Sequence, residues 1–166
     1  MVYFNEQMKI FSDGDKYNDL YHLFARSRYL TFRAREKELQ RYDLSPERAQ
    51  VLFLVQALGN KATPAEIARL LVRRPHTVSA MVERMAKEGL VKKVKDLERK
   101  NLVRVVLTDK GRKAYSLTVK RGPIHRILGV LNEQEQEQFK QYLERIMLKA
   151  QKELGMGHDE LPSSEL

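Results

Sequence analysis

Thr63 to Gly111 reads TPAEIARLLVRRPHTVSAMVERMAKEGLVKKVKDLERKNLVRVVLTDKG, and the order of its signals decides the fold. Thr63-Pro64 and Arg74-Pro75 both place proline where a helix starts, a position that needs no N–H and suits proline's fixed φ. Between them Ile67, Ala68, Leu70 and Leu71 mark one short apolar helix. From Pro75 to Lys87 the apolar residues Val78, Met81, Val82 and Met85 share one helical face. His76, Ser79, Ala80, Glu83 and Lys87 point the other way, with Thr77 and Arg84 on the flanks. Gly89 closes that helix. Leu90 to Val94 and Leu102 to Leu107 are β-prone, valine-rich runs joined by the charged loop KDLERKN. Two helices across a tight turn, followed by a basic hairpin, predict a winged helix-turn-helix.

Upstream, residues 1 to 12 carry no periodic signal and read as an arm. Ser12, Asp13 and Asp15 offer N-caps for a helix from Lys16 to about Arg41, on which Tyr17, Leu20, Phe24, Leu30 and Ala34 recur at helical spacing. Tyr21, Leu23 and Tyr29 lie on other sides of it, so it should meet more than one neighbour. Ser45-Pro46 starts a second helix to about Leu58 that buries Val51, Leu54, Val55 and Leu58, and Gly59 ends it.

Downstream, Thr108 to Gly111 caps a fifth helix reaching about Gly122-Pro123, where proline demands a kink or stop. Helix resumes through Ile127 and Leu128. Asn132 to Glu135 is a capping box, and the last helix, Glu133 to about Leu154, repeats Phe139, Leu143, Ile146, Met147 and Ala150. The expected fold is mainly α with a small β wing. It divides into an N-terminal arm and dimerisation helix (1–45), the DNA-binding winged helix-turn-helix (46–111), C-terminal dimerisation helices (112–154) and a flexible tail (155–166).

The 31 Lys and Arg against 22 Asp and Glu give a net charge of +9. That charge belongs to one segment: Lys61 to Arg121 holds 17 basic and 6 acidic residues, a balance of +11, and everything else balances at −2. Such concentration favours a polyanion partner. The absence of cysteine excludes disulfides, thiol catalysis and cysteine-bound zinc. The N-terminus lacks a basic region followed by an apolar one, and the longest apolar run is Val51 to Val55. No signal peptide or membrane span is therefore expected, and a cytoplasmic address follows by elimination.

A helix entering the major groove needs short side chains near its N-terminus, with flanking cations for phosphates. His76, Thr77, Ser79 and Ala80 supply the first, and Arg73, Arg74 and Arg84 the second. Lys95, Arg99 and Lys100 of the hairpin can lie along a phosphate backbone or enter the minor groove. Enzyme motifs are lacking: the four histidines show no H-E-x-x-H spacing, and there is no phosphate loop or nucleophile elbow. No cofactor or metal is expected, although His22 with His125 at the dimer base leaves zinc sensing as an alternative.

The order E-I-A-x-x-L (Glu66 to Leu71), T-V-S (Thr77 to Ser79), V-x-R-M (Val82 to Met85), E-G-L-V (Glu88 to Val91) and V-x-L-T-x-K-G (Val105 to Gly111) resembles the MarR family of bacterial transcriptional regulators. The likeness extends over about residues 15 to 154, because the family's N- and C-terminal helices interlock two subunits. It implies a dimeric regulator, a repressor by preference, bound to a near-palindromic operator. It also implies a small aromatic or anionic effector between the dimer helices and the DNA-binding lobe, where Tyr21, Phe24 and Arg28 are the candidate lining. The sequence departs from the family at Arg74, where an N-capping residue is usual, and at Ala80, where arginine is usual. Ala80 can meet a thymine methyl instead, leaving His76, Thr77 and Arg73 to specify sequence. At the wing, Arg99, Lys100 and Asn101 stand where an Asp-Arg-Arg run is usual. Two other readings remain open: an architectural DNA binder without sequence preference, and a winged helix used for protein contacts.

Overall fold

A computed structural model of the chain describes Phe11 and residues 14–95 and 102–156. In order, the elements are α1 (Lys16–Leu39), α2 (Pro46–Leu58), α3 (Pro64–Leu70), α4 (Pro75–Lys87), β1 (Val91–Lys95), β2 (Val103–Leu107), α5 (Asp109–Thr118), α6 (Gly122–Leu128) and α7 (Glu133–Glu153). Short 3-10 turns, Gln40–Tyr42 and Gly59–Lys61, follow α1 and α2. The fold is mainly helical with a small antiparallel wing, as the sequence predicts.

Helix starts follow the sequence signals closely. Asp15, Ser45, Thr63, Thr108 and Asn132 each accept a backbone N–H from the first turn they precede. Asn132 and Glu135 complete the expected capping box, with the Asn132 N–H donated to Glu135 Oε2 at 2.8 Å.

The core forms where α2, α3, α4 and the wing meet. Val51, Leu52 and Val55 from α2 pack with Ile67 and Ala68 from α3, Val78, Val82 and Met85 from α4, and Val91 and Val105 from the wing. Burying each of these side chains other than Ala68 contributes about 1.5–3 kcal/mol. Leu54 and Leu58, expected inside, are only partly buried at the rim, while Ala49 and Leu52 take the interior positions.

In the ribbon Val91 pairs with Leu107, Lys93 with Val105 and Lys95 with Val103. Only Val91 of β1 is buried. The ribbon thus leaves the core after its first pair and carries Lys92 to Lys95 outward. Val105 also donates its N–H to the Ala62 carbonyl at 2.8 Å, tying the wing to the segment before α3.

One expected helix is shorter than the pattern suggested. α5 stops at Thr118, and a new helix, α6, starts at Gly122. Pro123 explains the break, since its ring inside a continuous helix would clash with the carbonyl of Val119. Arg121 takes a left-handed conformation there, φ 46°. The junction is held by α1: Arg35 donates to the Thr118 carbonyl and pairs with Glu38, and Glu38 Oε1 accepts the Gly122 N–H at 3.0 Å.

Candidate nucleic-acid interface

The turn between α3 and α4 is a Schellman closure. Val72 donates its N–H to the Arg69 carbonyl at 3.1 Å and Arg73 donates to that of Ala68 at 3.0 Å. The left-handed position falls on Val72, φ 51°, where glycine would be expected. This tight reversal turns Arg73 and Arg74 into solvent immediately before α4. Nothing in the sequence flags Val72, because a β-branched residue carries no turn signal.

Along α4 the predicted faces hold. Val78, Val82 and Met85 are buried and Met81 is half-buried, while His76, Thr77, Ser79, Ala80, Glu83, Arg84 and Lys87 are exposed. Arg74 occupies the cap without offering a side-chain acceptor. The first turn of α4 therefore meets solvent with short side chains, an uncapped amide end and two arginines beside it.

The wing is braced against this helix. Lys93 Nζ pairs with Glu83 Oε2 at 2.5 Å, a contact that spacing alone did not reveal. The Glu83 carboxyl is held below the usual carboxylate range, chiefly by the hydrogen bond from Lys93 and then by its charge. At the far end of α4, Glu88 pairs with Arg48 at 2.6 Å, and Lys110 Nζ donates to the Glu88 carbonyl at 2.9 Å. Lys95 ends β1 in solvent, together with Lys92. Arg99 and Lys100 lie outside the described residues.

Behind the turn lies a cavity of about 570 Å³ between α1, α2 and the α5–α6 junction, lined among others by Arg28, Arg35, Phe53, Arg73, Thr118 and Arg121. Arg28 is in this lining as expected, but Tyr21 and Phe24 are not: both are exposed on α1. The Arg121 guanidinium sits 5.0 Å from the Phe53 ring centroid. An anionic group with an apolar body matches such a lining. His22 packs against the rings of Phe11 and Tyr21, at 5.1 and 5.7 Å between centroids. Among the described residues no group of three or more His, Asp or Glu is arranged to hold a metal ion.

The sequence pattern of the MarR family matches residues 42–96. No curated protein matches the chain. Among solved structures, an organohalide-sensing RdhR transcriptional regulator bound to 2,4-dichlorophenol is 26% identical, with 93% of this chain and 91% of that chain covered and a TM-score of 0.74. A cysteine-to-serine mutant of MarR from E. coli complexed with operator DNA is 19% identical, covering 80% of this chain and 99% of that one at a TM-score of 0.72. CouR from Rhodococcus jostii RHA1, bound to p-coumaroyl-CoA, is 18% identical, covering 81% and 95% at a TM-score of 0.73. At those identities the last two establish a shared fold.

Proposed function

We propose, for a chain that belongs to the MarR family of transcription regulators, that it works as a homodimeric repressor reading a near-palindromic operator in the cytoplasm. The observation that carries this reading is the first turn of α4: short polar side chains outward, an uncapped amide end, and Arg73 and Arg74 beside it. That surface suits a major groove, with His76, Thr77, Ser79 and Ala80 toward base edges and Arg73, Arg74 and Arg84 toward phosphates. Lys95, Arg99 and Lys100 would extend the contact along the backbone of the adjacent groove. It acts by binding rather than by catalysis.

Dimerisation is supported by apolar side chains left in solvent on the two end helices. Tyr17, Leu20, Tyr21 and Phe24 on α1 and Phe139, Tyr142, Ile146 and Met147 on α7 are all exposed in the single chain. Stripes of this kind need a partner surface. Two copies joined through α1 and α7 would set two α4 helices at a fixed spacing, which a symmetric operator matches.

The arginine-lined cavity is the place we assign to a small anionic, aromatic effector. Relatives bound to 2,4-dichlorophenol and p-coumaroyl-CoA support a ligand of that general kind. Arg73 links the two activities, since it lines the cavity and also precedes α4. A ligand that draws Arg73 inward would remove a phosphate contact, and a coupling of about 1–3 kcal/mol is typical for such linkage.

Affinity measurements across salt concentrations test the interface. Arg74→Ala should weaken binding to every duplex and flatten the salt dependence by about one unit, whereas Thr77→Ala should also change which duplex is preferred. Equal affinity of the unaltered protein for all duplexes at moderate salt would replace this reading with that of an architectural DNA binder.

A further inference from the structure

We infer that the groove beside the helix-turn-helix turn is the docking site of the chain's own acidic C-terminal segment, residues 157–166, which competes there with DNA for Arg73 and Arg74. The inference rests on the DNA-binding reading of α4. The groove, about 500 Å³, has an apolar floor that includes Ala68, Val72 and Pro75 and a basic rim that includes Arg73 and Arg74. Its remaining wall is Met156, the last described residue.

The path of the chain explains this juxtaposition. Helix α7 ends in a Schellman closure, with Gly155 at φ 66° donating its N–H to the Lys152 carbonyl at 3.1 Å and Met156 donating to that of Gln151 at 3.0 Å. Leu154 remains 72% exposed, while Met156, past the closure, is half-buried against the groove. The end of α7 therefore sets Met156 at the flank of the turn.

Those residues are GHDELPSSEL, with Asp159, Glu160 and Glu165 and no lysine or arginine. Asp159 and Glu160 follow Met156 by three and four positions, a reach of roughly 10 to 14 Å for extended chain. Arg73 and Arg74 border the same groove as Met156, and among the described residues neither guanidinium has a hydrogen-bond or ion-pair partner. Leu161 and Pro162 match the apolar floor. Because the segment is tethered, its effective concentration reaches about the millimolar range, so individually weak ion pairs suffice to occupy the site. The same arginines then serve either a carboxylate of the tail or a phosphate of DNA, and salt weakens both.

A spin label tests the docking directly. Since the chain has no cysteine, Ser164→Cys supplies a single attachment point for a nitroxide. In the full chain the amide signals of Ala68 and Val72 should broaden, and the broadening should fade in the Asp159→Asn, Glu160→Gln, Glu165→Gln variant. Absence of broadening, or broadening only between different copies in a mixture of spin-labelled and isotope-labelled protein, overturns the docking. Affinity for a mixed-sequence duplex at about 50 mM salt tests the competition. The triple variant should bind about three- to tenfold tighter than a control, Glu133→Gln, Glu137→Gln, Glu144→Gln, that loses the same charge on α7. Equal affinities overturn the competition. If no variant binds any duplex while the broadening persists, the DNA reading fails and the docking stands.

Discussion

The α-carbon of Gly111 sits directly against the carbonyl of Leu90: a β-carbon at position 111 would lie 1.9 Å from that oxygen and 2.9 Å from its carbon. The same corner is closed by Thr108, whose hydroxyl donates to the Gly89 carbonyl at 2.5 Å and accepts the Gly111 N–H at 3.0 Å. The end of α4, the start of the wing and the start of α5 are thus fixed to one another by backbone contact. Gly111→Ala must push backbone apart, and a loss of about 3 kcal/mol or more in urea unfolding is expected. A loss below 1 kcal/mol would show that the corner is loose.

The Arg35–Glu38 pair should behave as a structural bolt rather than a surface ion pair. Both side chains are 13% exposed, and between them they hold the Thr118 carbonyl and the Gly122 N–H at the α5–α6 break. Removing one partner leaves a largely buried charge without its counterion, so Glu38→Ala should cost about 3 kcal/mol. A double-mutant cycle with Arg35→Ala should give clear coupling, and simple additivity in denaturation would contradict the geometry.

Val72 predicts a change in the opposite direction. A β-branched residue at φ 51° carries a left-handed penalty of about 1–2 kcal/mol, and glycine there gives back about 0.5–1 kcal/mol in chain entropy. Val72→Gly should therefore be neutral to about 1 kcal/mol stabilising in thermal unfolding. A clear destabilisation would mean that the Val72 side chain secures the turn by packing.

Glu66 gives a pH signature in α3. Its carboxyl is held below the ordinary value first by the hydrogen bond from Arg69, which it meets at 2.5 and 3.0 Å, against a smaller opposing effect of burial. A carboxylate with a depressed folded pKa stabilises above its unfolded pKa, and that contribution is lost as pH falls through the folded value. With both side chains about 30% exposed, the effect should stay within about 1 kcal/mol. The stability gap between the unaltered chain and Glu66→Gln should accordingly be present at neutral pH and close in acid. A gap that does not narrow as the solution is acidified through the carboxylate range would rule the pair out as its source.

Much of this arrangement was legible from local chemistry. The cap residues, the two faces of α4 and the wing strands follow from short-range rules, and they appear where Thr63, Thr108, Asn132, Val78 and Val91 pointed. Contacts between distant segments were not legible. Periodicity marked Leu54 and Leu58 but could not show that Leu52 would be the fully buried one. The bolt from Glu38 to Gly122 spans 84 positions, and no spacing rule reaches that far. The candidate effector cavity differs from the expectation for a similar reason: Arg28 lines it, but part of its basic lining, Arg73 and Arg121, comes from far along the chain, and Tyr21 and Phe24 stay outside it.

Selecting bound duplexes from a random pool separates a sequence-specific regulator from a general DNA binder. Two α4 helices in a symmetric dimer should return near-palindromic sites whose half-sites lie about one helical turn, or 10 base pairs, apart. Thr77→Ala should shift the preferred half-site, and Arg74→Ala should weaken binding without shifting it. Recovery of unrelated sequences at equal affinity, with no repeated half-site, would contradict the account.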